Sequence, residues 1–339
     1  MEISKRVRVV ATVAGASLLA LGASTPAFAG GGSTSDMPGH DQACGTQTDN
    51  GTTQCFATIQ QAIDYAGAAG TVNVGPGQFD EHVSIIQGVT VRGSGNDTQI
   101  QGALDTPLIT VVTPSGSPMF QSPVTIENLE LVASSGATSG YGMVIKDRNT
   151  ANLDSVSNVS FTEQSPSQRD YGLDNESSGA TLAVSNNTFR GMSVGVLIDV
   201  NSATSSGPLG ADLVSANSFD QLTSAVGAPK GIDISLNSGG NSVAGSQVFN
   251  GNEFNFNGGS AVSVDGSGTI GSISVHEDNF KGPDFGVSNS SGSNVDATDT
   301  WWGCPDGPTG TQPHCVQVGG TVSYKPWLTH PADLHAGNS

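Results

Sequence analysis

Short bursts of alternating apolar and polar residues, each bounded by Gly, Asn, Asp or Ser, run through most of the chain. Alternation with a period of two marks half-buried strands, and turn residues at both ends keep each strand short. Five segments share one form: VSNVSF (156–161), VSNNTF (184–189), VSANSF (214–219), FNGNEF (249–254) and VHEDNF (275–280). Each is a short strand, then Asn or Asp, then Phe. The Phe positions 161, 189, 219, 254 and 280 are separated by 28, 30, 35 and 26 residues, and Trp301 continues the series after 21 more.

A second element alternates with the first, a Gly or small residue that opens another strand. It reads GMVIKD (142–147), GLDNES (172–177), GVLIDV (195–200), GIDISL (231–236), AVSVDG (261–266) and GVSNSS (286–291). A repeat of twenty to thirty-odd residues with two or three short strands predicts one coil of a parallel β-solenoid. Apolar side chains stack inside such a coil, while Asn, Gly and Ser turn its corners. Near the start the period changes. Phe56, Ile59, Ile63 and Ala66 share one helical face and predict an amphipathic helix of about three turns. Strand alternation begins at Thr71–Val74 and Val83–Ile85.

With Gly142, Gly172, Gly195, Gly231 and Ala261 in register, the strands sort into columns. Met143, Leu173, Val196, Ile232, Val262 and Ile145, Asn175, Ile198, Ile234, Val264 point inward, and nine of these ten are apolar. The outward columns are Val144, Asp174, Leu197, Asp233, Ser263 and Lys146, Glu176, Asp199, Ser235, Asp265. Five of those ten are carboxylates, in a chain with 30 acidic residues among 339. Tyr141, Tyr171, Arg148, Arg169 and Lys230 flank this strip.

Composition narrows the setting. Met1–Ala29 has a basic start (Lys5, Arg6, Arg8), an apolar stretch from Val9 to Leu21 and a small–x–small Ala27-Phe28-Ala29, the pattern of a secretory signal peptide. No later stretch approaches the roughly 18–20 apolar residues of a membrane span. Without residues 1–29 the formal charge falls from −19 to −21, because three basic residues and one acid leave with them. That surface excludes nucleic acid and anionic membranes as partners, since both need clustered basic residues. Cys44 and Cys55 are eleven residues apart, as are Cys304 and Cys315. In an exported chain two local pairs read as two disulfides, with a bridge between the two ends as the alternative pairing.

The stretch CFATIQQAIDYAGAAGTVNVGPGQFDEHVSI (55–85) resembles the opening of secreted right-handed β-helix proteins of the pectin-lyase-like superfamily. In them an IQ.AI..A helix plugs the first coil, and a V.V.PG.(Y/F).E.V.I segment starts the stack. WWGCPDGP…VSYKPWL (301–328) is similar to the closing segment of bacterial members, where a disulfide loop can follow WWG. Trp301 would then be the aromatic of the last full coil, with Trp302 lying over the open end. The resemblance implies an all-β fold, a single-stranded right-handed parallel β-helix with an N-terminal capping α-helix. It would span 54–330 including its caps, after a signal peptide (1–29) and a polar linker (30–53), and before a tail (331–339). The chain is expected to be secreted and monomeric.

Function is less sharply drawn, because this fold carries many activities. The paired-Asp and Gly-His-Gly signatures of polygalacturonase-like hydrolases are absent, as are the pectin methylesterase set and an Arg-x-Pro-x-x-Arg. YGLDNE (171–176) is similar to the YG-x-DP-H motif of alginate epimerases at Tyr171 and Asp174, but Asn175 and Glu176 replace Pro and His. No two histidines have metal-ligand spacing. Two expectations follow. The chain binds an extracellular polysaccharide through Tyr141, Arg148, Arg169, Asp174 and Asp233. Alternatively, Glu176 and Asp199 share a Ca²⁺ that acidifies a uronate C–H, with Lys146, Tyr171 or Lys230 carrying the proton in elimination or epimerisation.

Overall fold

The computed structural model describes residues 41–103, 106–112, 122–134, 140–147, 152–164, 170–177, 180–200, 210–225, 227–236, 242–309 and 315–334. Among them the chain is all-β with one α-helix, and its strands form sheets of eighteen and nine strands. All pairings in the nine-stranded sheet are parallel, each strand lying beside its counterpart in the next repeat. Its register runs Met143, Leu173, Val196, Ile232, Val262, the expected inward column. The two long, mostly parallel sheets fit a β-helix-like solenoid.

In the longer sheet Phe161, Phe189, Phe219, Phe254 and Phe280 are successive register partners. Their ring centroids lie 4.7, 4.9, 4.7 and 5.5 Å apart, close to the spacing of neighbouring strands. The Phe repeat is therefore a buried stack. This stack explains the glycines that open the second strands. A Cβ on Gly172 would stand 2.6 Å from the Phe189 ring and 2.7 Å from the Gly195 carbonyl, so no larger residue fits beneath the rings.

The corner before each ring has a fixed chemistry. Three residues ahead of the aromatic, the backbone turns left-handed at Asn158 (φ 54°), Asn186 (57°), Ala216 (54°), Gly251 (67°) and Glu277 (56°). Asn tolerates this conformation better than most residues, which accounts for its recurrence in the motif. One position further on, Asn187, Asn217 and Asn252 are buried in a ladder. Asn187 donates its N–H and Nδ2 to Asn217 Oδ1, and Asn217 does the same to Asn252. Each rung satisfies backbone groups that the corner takes out of the sheets.

Both ends differ in detail from expectation. Ala43–Thr46 is a strand, paired antiparallel with both Thr53–Phe56 and Thr71–Val74, so ordered β-structure begins upstream of residue 54. Cys44 and Cys55 are directly opposite and bonded, and Cys304 is bonded to Cys315. The helix is shorter than three turns. It spans Ile59–Ala66, capped by Thr58, and Phe56 belongs to the preceding strand instead. Glu81 accepts bonds from the Ile59 and Gln60 N–H groups at 2.8 and 3.2 Å, which brings the first repeat onto the helix start. The helix buries Ile59, Ala62, Ile63 and Ala66 against the core.

At the far end the register differs by one residue from the expectation that Trp301 continues the Phe series. Asn279 is bridged to Trp301, which puts Trp302, not Trp301, in register with Phe280. The Trp302 ring is fully buried, 5.1 Å from Phe280, and Tyr324 and then Trp327 continue outward at 6.3 and 6.2 Å. Trp327 Nε1 donates to the Pro305 carbonyl at 2.9 Å, tying the last aromatic to the disulfide loop. Among the described residues no helix is long and apolar enough to cross a membrane.

Candidate functional site

The outward strip of the nine-stranded sheet gathers most of the residues singled out from the sequence. Tyr141 and Tyr171 are register partners, and their half-buried rings stack at 4.9 Å and 16°. Stacked along the repeat axis, they add a half-buried aromatic step to the strip. Burial pushes the Tyr141 hydroxyl up to about 12, with Asp174, Tyr171, Glu176 and Asp199 adding to it, so it stays a hydrogen-bond donor at any ordinary pH.

The column beside them faces outward and is nevertheless buried. Val144, Asp174, Leu197, Asp233 and Ser263 are all under ten per cent exposed, with Asp174 at 2% and Asp233 at 9%. A carboxyl in such a place resists ionisation. Burial pushes Asp174 up to about 8, the Glu176 and Asp199 carboxylates push the same way, and Lys146 only partly opposes them. Its Oδ1 has no hydrogen-bond partner, and neither has Oδ1 of Asp233. Two buried oxygens of this column thus lack partners among the described residues.

The lysines are committed to ion pairs. Lys146 Nζ lies 2.7 Å from Glu176 Oε2. Lys230 Nζ lies 2.9 Å from Asp233 Oδ2 and 2.5 Å from Asp265 Oδ2. Burial works against the Lys230 charge, but Asp233 and Asp265 outweigh it and raise its pKa. Asp233 is itself raised by burial, against the pull of Lys230. Asp265 resists its burial through Lys230, Ser263 and Ser290 and is lowered.

Asp199 follows Ile198, the partner of Asn175, so the register sets it beside Glu176. Among the described residues no three His, Cys, Asp or Glu side chains come together as a metal cluster. Glu176 is instead engaged by Lys146. Arg148 and Arg169 lie outside the described residues.

Sequence reasoning missed two carboxylates next to this strip. Glu163 and Asp170, both buried, line a small cleft with Leu108, Phe161, Tyr171 and Met192. Each sits at the edge of its strand, outside the Gly-led and Phe-led patterns, so no periodic signal marked it. The interior is likewise less apolar than the pattern indicated. Asp212 is buried across from Asn175 and Gln247, and burial pushes it up to about 7. Asp154, whose Oδ1 accepts from Val124 N–H, is pushed up to about 8 by burial, with neighbouring Asp147 adding to it.

No protein-family model matches this chain, and no curated protein matches its sequence.

Proposed function

We propose that the chain is an exported right-handed parallel β-helix of the pectin-lyase-like superfamily that binds extracellular polysaccharide along the outward strip of its nine-stranded sheet. The observation that carries this reading is the Tyr141–Tyr171 pair in line with a row of fixed polar groups. Two phenol hydroxyls one repeat apart offer donors to successive sugar units, and a polar lining on a rigid scaffold suits an extended polymer. The two disulfides support export, since such bonds persist in oxidising compartments.

Elimination or epimerisation assisted by Ca²⁺ is supported less well. Lys230 is held in its charged form by two carboxylates and is a poor base near neutral pH. Glu176, one of the two expected metal ligands, has Lys146 against its carboxylate. Affinity electrophoresis of the purified chain through gels containing polysaccharides tests the binding reading. Retardation by at least one polysaccharide, lost in Tyr171→Ala, is the expected result. Release of unsaturated sugars, seen by ultraviolet absorbance only when Ca²⁺ is present, would replace it with the catalytic one.

A further inference from the structure

The chemical class of the polysaccharide follows from how the strip's charges are disposed, and this step rests on the binding reading above. A uronic-acid polymer carries a carboxylate on every sugar or every second sugar and needs unpaired cations, or a bridging metal, to hold it. The described residues of the strip offer neither. Lys146 is matched by Glu176, and Lys230 by both Asp233 and Asp265. Two lysines therefore stand among three acidic side chains, before Asp174 is considered.

Asp174 and Asp233 point the same way. Each is more than nine-tenths buried and holds an oxygen without a partner among the described residues. Those oxygens are shielded from solvent, so neither side chain offers a ligand a free charge. The hydroxyl groups of an uncharged chain can bond to the exposed edges of the ion-paired side chains without breaking a pair. The Tyr141 and Tyr171 hydroxyls add complementary groups along the same line.

We infer that this strip takes an uncharged glycan, read through its hydroxyl groups, and rejects uronic-acid polymers.

Matched probes test this directly. The full secreted chain is run through gels containing uncharged polysaccharides (xylan, mannan, β-glucan) and, in parallel, polygalacturonate, alginate and hyaluronate. Each gel is run with EDTA and with Ca²⁺, at low and at high salt. The expected result is retardation by an uncharged glycan that neither salt nor EDTA removes, because screening weakens attraction between charges and leaves neutral contacts. Tyr171→Ala should lower that affinity roughly tenfold, and Tyr171→Phe should separate the lost hydroxyl from the lost ring.

A double variant, Glu176→Gln with Asp265→Asn, supplies the converse. It frees Lys146 and weakens the hold on Lys230, so it should acquire a salt-sensitive affinity for polygalacturonate that the natural chain lacks. Circular dichroism confirms that each variant is folded. Binding of the natural chain confined to the polyuronates would overturn this inference and leave the binding reading standing. Binding to neither class would overturn both.

Discussion

Asp278 Oδ1 accepts two hydrogen bonds from Asn252, one from its N–H at 2.6 Å and one from its Nδ2 at 2.9 Å. Asn252 receives the same two bonds from Asn217, so Asp278 fills the next rung of the ladder. There the likeness ends. Asn252 uses its Nδ2 to donate to the Val214 carbonyl as well, whereas the corresponding atom of Asp278 is Oδ2, buried and without a partner. By the repeat, that oxygen faces the carbonyl of Phe249, the register partner of Val214. A carboxylate there would oppose a carbonyl lone pair, and a carboxylic acid would donate to it.

Burial accordingly pushes Asp278 up to about 8, Glu277 adds to the rise, and Asn252 limits it. Asp278→Asn should restore the missing donor and make the rung independent of pH. We expect it to raise the melting temperature at pH 9 by several degrees while changing it little at pH 5. Equal shifts at both pH values would show that the proton on Asp278 is irrelevant.

The same logic extends to the whole molecule. Asp154, Asp174 and Asp278 are pushed up to about 8 and Asp212 to about 7, chiefly by burial. Between an ordinary carboxyl pKa near 4 and these raised values, the folded chain holds protons that the unfolded chain has released. Stability therefore falls as pH rises through that window. Below it Asp265 and Asp296, both lowered, contribute the opposite slope. Maximum stability is expected at mildly acidic pH, near 4–5. Thermal melts from pH 3 to pH 9 check this, and a melting temperature that climbs from pH 5 to pH 9 would contradict it.

Phe219 lies between Phe189 and Phe254, with centroids at 4.9 and 4.7 Å, and is completely buried. Phe219→Ala should cost about 3–5 kcal/mol, because neighbouring strands held in register cannot collapse into the space. Phe219→Leu should cost less. Denaturant titration with a common slope would provide both values.

Cys44–Cys55 joins opposite residues of the first hairpin, eleven positions apart. Replacing both cysteines by alanine should cost about 3 kcal/mol, the entropy of closing a loop of that size. The same measurement at Cys304 and Cys315 should give a comparable loss, since the separation is identical. A difference of more than about twofold between the two would mean that the ends carry unequal shares of the folding energy.

The repeat was legible because each coil satisfies the same local rules. Met143, Leu173, Val196, Ile232 and Val262 are aligned by nothing more than a small residue and an alternating pattern, and they are true register partners. The tryptophans were misassigned by one residue, since two adjacent aromatics carry no alternation from which to choose. Only the Asn279–Trp301 bridge decides between them. The helix was overextended for a related reason. Phe56 has helical spacing from Ile59, but the Cys55 disulfide holds it in a strand. In the strip, the residue types were legible and their burial was not. An outward position reads as exposed in any strand, and Asp174 is enclosed by groups whose placement no pattern of alternation encodes.

From Phe161 to Phe189, Phe219 and Phe254 the chain advances by 28, 30 and 35 residues, yet the rings stay 4.7, 4.9 and 4.7 Å apart. Additional residues therefore contribute nothing to the height of the stack. The aromatic column acts as a ruler that counts repeats and ignores their length. A connection can gain or lose several residues without shifting the register of any strand, and doubling a flexible loop costs only about 0.6 kcal/mol. Variation is thus channelled to the outside of the molecule. New surface can be tried one turn at a time, by natural descent or by design, while the interior is inherited unchanged.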